Sequence, residues 1–74
     1  MIRASRWHQA GVAGPVGNPG IKSVGIVVED DAGWRHEELV SIQPGADVHE
    51  QEQLDYAVEK VMKVHGKIGP WKWA

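Results

Sequence analysis

Residues 47–65 have the pattern of one amphipathic helix, and this helix constrains the fold more than any other part of the sequence. Its apolar side chains recur at steps of three and four residues, which places them on a single stripe. A sheet or a second helix must cover such a stripe. Asp47 is placed to cap the helix start, and Glu50 follows it three residues later as in a capping box. The stripe consists of Leu54, Ala57, Val58, Val61, Met62 and His65.

Two segments before this helix have the alternating pattern of β-strands, so we expect a sheet to cover the stripe. In 21–29, three aliphatic residues at every second position share one face. The second segment, 34–42, follows the turn sequence DDAG, which predicts an antiparallel hairpin. Weaker strand signals lie at 2–9 and 68–74.

The order of these elements predicts a small α+β fold over 1–74, a single domain. We expect a small antiparallel sheet of three to four strands, with one C-terminal helix packed on one face. The segment 10–20 has glycine at every third position and two interleaved prolines, a composition typical of an extended arm or loop. The segment 68–74 forms a C-terminal tail that contains tryptophan.

No pattern in the sequence indicates catalysis, a cofactor or a metal ion. Glu37 and Glu38 are adjacent on a predicted strand, so they point to opposite faces and cannot act as a carboxylate pair. A metal site could combine His8, His36 and Glu38, but no spacing fixes their convergence. We therefore expect a protein that is not an enzyme and that has neither cofactor nor metal.

The sequence also lacks the features of a secreted or membrane protein. It contains no cysteine, no apolar run near the roughly 18 residues of a membrane span, and no apolar stretch of a signal peptide at its start. We expect a soluble, cytoplasmic protein that does not bind membranes.

The charges are strongly segregated along the chain. Residues 1–28 carry three cations and no acid, 29–59 carry all 10 acids and one cation, and 60–74 carry four cations. Such segregation can mark a surface for nucleic acid or for a protein partner. Alternatively, the basic ends pack against the acidic middle and neutralise it.

Four tryptophans and no phenylalanine make the indole rings the main source of large apolar volume. We expect Trp34, beside the turn, to pack beneath the helix. On a strand, Trp71 and Trp73 would share one face and Lys72 would point to the other. The tail could close back on the helix, or it could reach another subunit.

These features favour a small non-enzymatic domain that binds protein, either copies of itself or a larger partner. It could serve as a regulator, an inhibitor or a structural subunit of an assembly, and we expect it to self-associate. Tyr56 on the outer helix face is either an ordinary exposed aromatic residue or an interface residue. The predicted partner-binding residues are Trp7, Tyr56, Trp71, Lys72 and Trp73.

A single-stranded nucleic-acid binder is the alternative prediction. If the two terminal strands pair, cations and indoles from both ends would form one patch, where phosphates meet the cations and bases stack on the rings. The residues of this predicted patch are Arg3, Arg6, Trp7, Lys67, Trp71 and Trp73.

Overall fold

The computed structural model describes residues 1–7, 22–43 and 49–74, which form a four-stranded sheet with one helix on one face. The predicted α+β class and the order of elements are confirmed. His8, the arm 10–20 and the predicted cap Asp47 lie outside the described residues. The elements are β1 (Ile2–Trp7), β2 (Lys22–Glu29), β3 (Arg35–Ile42), α1 (Glu50–Val64) and β4 (Trp71–Trp73).

The strands lie in the order β3-β2-β1-β4. β1 pairs with β2 and β2 pairs with β3, both antiparallel as predicted, but β4 pairs parallel to β1. The sheet is therefore mixed, although mostly antiparallel. The direction of α1 explains the parallel pair: α1 starts beside Gln43, after the end of β3, and finishes beside His36, near the start of β3. A strand that follows this antiparallel helix runs in the same direction as β3 and β1.

Asp30 organises the turn of the β2–β3 hairpin. Its backbone N–H donates to the carbonyl of Trp34 at 3.0 Å, and its side-chain Oδ1 accepts from the N–H groups of Ala32 and Trp34 at 2.9 and 3.0 Å. Gly33 has a φ of +98°, a conformation that strongly favours glycine. The DDAG sequence therefore supplies both the carboxylate and the glycine that this turn requires.

The core lies between α1 and one face of the sheet, as the helix stripe predicted. Ile26, Val28, Leu54 and Val58 are fully buried there. Burying one such side chain contributes about 1.5–3 kcal/mol of transfer free energy, so the stripe supplies a large part of the stability. Trp34 packs against this core as expected, half-buried.

Candidate functional site

The C-terminal tail closes back on its own helix. Trp71 and Trp73 pair with Ile2 and Ala4 of β1, lie half-buried against the core, and meet edge to face with ring centroids 5.6 Å apart. The Nε1–H of Trp73 donates to Oδ1 of Asp55 in α1 at 2.7 Å. Both rings therefore contribute to the packing of this chain.

The other three predicted partner-binding residues lie apart from this pair. Trp7 is half-buried on the face of the sheet opposite α1, where its ring lies against Gly25. Lys72 is exposed and alternates with its tryptophan neighbours, so it points to that opposite face as predicted. Tyr56 is 72% exposed on α1. The five residues do not gather on one surface.

The cations of the predicted nucleic-acid patch pair with acids of the middle segment. Lys67 Nζ lies 3.0 Å from Asp30 Oδ2, and its hydrogen bond holds the pKa of Asp30 below the usual range. The guanidinium of Arg3 binds Asp31, and together with the terminal amino group it lowers the pKa of Asp31 to about 2. Arg6, on the α1 side, lies 3.4 Å from Glu50.

These contacts place the basic ends of the chain against its acidic middle. The two terminal strands do pair, but their aromatic residues are divided between the faces of the sheet, with Trp7 on one and Trp71 and Trp73 on the other. The structure therefore does not bring the predicted nucleic-acid residues together on one face.

A different surface combines a groove with an open strand edge. The groove has a volume of about 380 Å³ and lies between the C-terminal half of α1 and the helix-facing side of β3. Val64 beside it is 71% exposed. The apolar residues that line the groove are Val40, Ala57, Val61 and Val64, and the polar ones are His36, Glu38, Lys60 and His65; Leu39 and Ser41 line it at the open edge of β3.

β3 lies at the end of the sheet, with β2 as its one strand neighbour in the described part of the chain. The hydrogen bond between Asp30 and Trp34 fixes which β3 residues face β2, because hydrogen-bonded pairs alternate along an antiparallel ladder. The even-numbered residues direct their N–H and C=O groups to β2, and the odd-numbered residues direct theirs to the open edge. The outward residues are Arg35, Glu37, Leu39 and Ser41.

A cluster of rings closes one end of this groove. His65 lies between Trp34 and His36, with ring centroids 5.3 and 4.6 Å away. The Nδ1–H of His65 donates to the carbonyl of Val61 at 2.9 Å, and His36 Nε2 lies 3.0 Å from Oε1 of Glu38. These contacts fix the side chains at the groove end, so this wall of the groove is preorganised.

The sequence signals did not identify this edge. The pattern of 34–42 predicts a strand, but the same alternation fits a central strand and an edge strand equally well. Composition does not mark the edge either: β3 lacks proline and lysine, but it carries Arg35, Glu37 and Glu38, and charged residues are also common on exposed edges.

The candidate metal-binding residues are only partly placed. His36 and Glu38 contact each other, whereas His8 lies outside the described residues. Residues 1–7, 22–43 and 49–74 contain no group of three or more histidine, aspartate or glutamate side chains able to hold a metal ion. The described residues also contain no helix of the length and apolarity needed to cross a membrane.

The groove and the β3 edge thus combine apolar side chains with outward-facing backbone groups. Comparisons with known protein families, with curated proteins and with solved structures find no match for this chain.

Proposed function

We propose that this protein is a non-enzymatic interaction domain that binds an extended protein segment along the open edge of β3. The observation that carries the proposal is the eight-residue edge strand beside the groove. Strand addition of this kind derives affinity from main-chain hydrogen bonds and specificity from pockets that take alternate side chains. The β3 edge offers both.

The geometry of β3 suits an added strand. Eight residues span about 26 Å, and four of them direct backbone groups outward. Every second side chain of the added strand would point to the α1 side, where Val40, Val61 and Val64 form an apolar wall. On the other face, Leu39 is 55% exposed and would be covered by the same strand.

The opposite edge of the sheet is a poorer candidate. β4 contains three residues, and a strand this short offers few hydrogen bonds to a partner. Its two tryptophans already pack against the core. Binding at β3 would leave these internal contacts intact.

The placement of the cations favours a protein partner over nucleic acid. Phosphate binding depends on cations that are free to replace counterions. Arg3, Arg6 and Lys67 instead have acidic partners within this chain. We therefore expect the protein not to shift a labelled single-stranded oligonucleotide in a gel at low salt. Binding that weakens steeply with added salt would favour the nucleic-acid function instead.

Proline substitution at one outward position tests the proposal. The N–H of Leu39 points to the open edge, so Leu39→Pro would block an added strand without removing a bond to β2. We expect Leu39→Pro to fold and to lose any protein that the wild-type chain captures from a lysate of the source organism. Circular dichroism and quantitative mass spectrometry measure the two outcomes.

Two matched variants control this experiment. Glu38→Pro removes an inward N–H that pairs with β2, so it should lower the thermal midpoint markedly. Tyr56→Ala alters an exposed residue on α1 and should retain the captured protein. Equal capture by wild type and Leu39→Pro would contradict the proposed edge site, and the absence of any partner, self included, would contradict the interaction function.

A further inference from the structure

We infer that the strand added to β3 is β3 of a second copy of this chain, antiparallel, with a two-fold axis passing beside Glu37. This inference rests on the proposed function and names its partner. It follows from the geometry of the open edge and from the order of charges along Trp34–Val40.

A two-fold axis perpendicular to the sheet joins two identical edges into one continuous antiparallel ladder. The operation keeps both copies of α1 on the same face of the extended sheet. Residues with outward-facing backbone groups must then pair with one another, and in β3 these are the odd-numbered residues. The two-fold axis can therefore lie beside any one residue of β3, and the possible positions can be compared by the contacts that each creates.

The register centred on Glu37 gives complementary pairs on the groove side. Trp34 lies opposite the partner's Val40, an aromatic residue against a β-branched one. His36 lies opposite the partner's Glu38, so an imidazole faces a carboxylate. Symmetry produces each of these contacts twice.

On the sheet face away from α1, this register brings two carboxylates together but also places a guanidinium beside them. The two Glu37 side chains face each other, but Arg35 of the same strand lies 3.4 Å from Glu37. Arg35 is also diagonal to the partner's Glu37 and opposite the partner's Leu39. Its aliphatic stem can cover Leu39 while its guanidinium remains beside the carboxylates.

The other registers lack this complementarity. An axis beside His36 would place Arg35 opposite the partner's Glu37, but it would pair only residues 35–37 of β3 and would place Glu38 opposite the partner's Trp34. An axis beside Glu38 would place two Glu38 carboxylates opposite each other in the groove, where the two copies exclude water and repulsion between like charges is greatest. An axis beside Leu39 would place Glu38 opposite the partner's Val40, so this carboxylate would have no cross-strand hydrogen-bond donor. The register centred on Glu37 is therefore the best matched.

Single cysteine variants test both the pairing and its register, because the chain contains no cysteine. Hydrogen-bonded residues that face each other lie about 5.5 Å apart at Cα, within the range of a disulfide. We therefore expect Glu37→Cys to form a covalent dimer under mild oxidation, and the dimer to separate on reduction. Mass spectrometry of the intact protein measures this dimer.

Leu39→Cys is the matched register control. In the proposed register Leu39 lies opposite the partner's Arg35, so the two copies of position 39 are about 13 Å apart along the strand. This distance is too long for a disulfide, so we expect little covalent dimer. Tyr56→Cys reports disulfides formed by random collision. If Glu37→Cys dimerises no faster than Tyr56→Cys, or more slowly than Leu39→Cys, the inference is wrong.

Light scattering on the wild-type chain separates this inference from the proposed function. Small interfaces bind weakly, so the measurement extends to about 1 mM protein. We expect the wild-type chain to be a dimer, and Leu39→Pro and Val64→Glu each to be a monomer. Val64 lines the groove but is exposed, so its substitution should leave the fold intact. A wild-type monomer at this concentration would overturn self-pairing, while capture of another protein that Leu39→Pro abolishes would leave the proposed function standing.

Discussion

At the scale of single residues, Trp7 and Gly25 form a matched pair on the face of the sheet opposite α1. The indole lies so close to Gly25 that an added Cβ would be 2.2 Å from Cε2 of Trp7. The ring is also held by its Nε1–H, which donates to the carbonyl of Ile26 at 3.2 Å. The absence of a side chain at position 25 therefore creates the space in which this tryptophan packs.

Gly25→Ala should destabilise the protein because the new methyl group must displace the indole. Overpacking of this kind costs about 1–3 kcal/mol of unfolding free energy, which urea denaturation can measure. The control is the same substitution in a Trp7→Ala background, where the methyl group has space. If Gly25→Ala costs the same in both backgrounds, the two residues are independent and our interpretation of the contact is wrong.

At the scale of elements, α1 begins without a side-chain cap. The prediction of Asp47 as the cap was wrong: the N-cap residue is His49, and Glu50 is the first residue of the helix. The extended backbone of His49 (φ −64°, ψ 158°) suits a cap, but its side chain makes no capping hydrogen bond. Glu52 lies three residues later, at the position that completes a capping box. The helix start thus has one half of this motif.

His49→Ser should complete the motif and stabilise the protein. The serine hydroxyl can accept from the backbone N–H of Glu52, and the carboxylate of Glu52 can accept from the N–H of residue 49. A good cap is worth about 1 kcal/mol relative to alanine, so His49→Ala is the matched control. Thermal and urea unfolding should both rank serine above alanine; equal stability of the two variants would contradict the predicted cap.

At the scale of the whole molecule, ion pairs connect parts of the chain that are distant in sequence. Arg3 binds Asp31 and Lys67 binds Asp30, so both basic ends meet at the β2–β3 turn. The pKa of Asp31 is lowered to about 2 from an ordinary value of 3.8. Between these values the unfolded chain binds more protons than the folded chain.

Stability should consequently fall as the pH drops. The contribution of Asp31 is fully present above about pH 4 and is lost as the pH falls through about 2, because protonation then favours the unfolded chain. Asp31→Asn should flatten this dependence in urea unfolding midpoints measured from about pH 5 to 2. Glu59→Gln removes an exposed carboxylate from the second half of α1 and is the control for the loss of one charge; an unchanged slope in Asp31→Asn would refute the assignment.

The sequence by itself determined the local elements of this protein. The alternation of Val24, Ile26 and Val28 predicted the face of β2 that packs against α1, and the three- and four-residue spacing of the stripe predicted the buried face of α1. Asp30 and Gly33 predicted the hairpin turn. These features are readable because backbone geometry alone sets the period of a strand or helix and the needs of a turn.

Only the tertiary structure decided how these elements meet. It placed β4 parallel to β1, closed Trp71 and Trp73 onto the core, and left β3 at the edge of the sheet. Edge position has no local signature, because the two sides of a strand differ only in whether another strand is present. The pattern of the sequence therefore could not reveal the candidate interaction site. This site consists of a side of β3 that no other described strand pairs with, and of a groove formed by two separate elements.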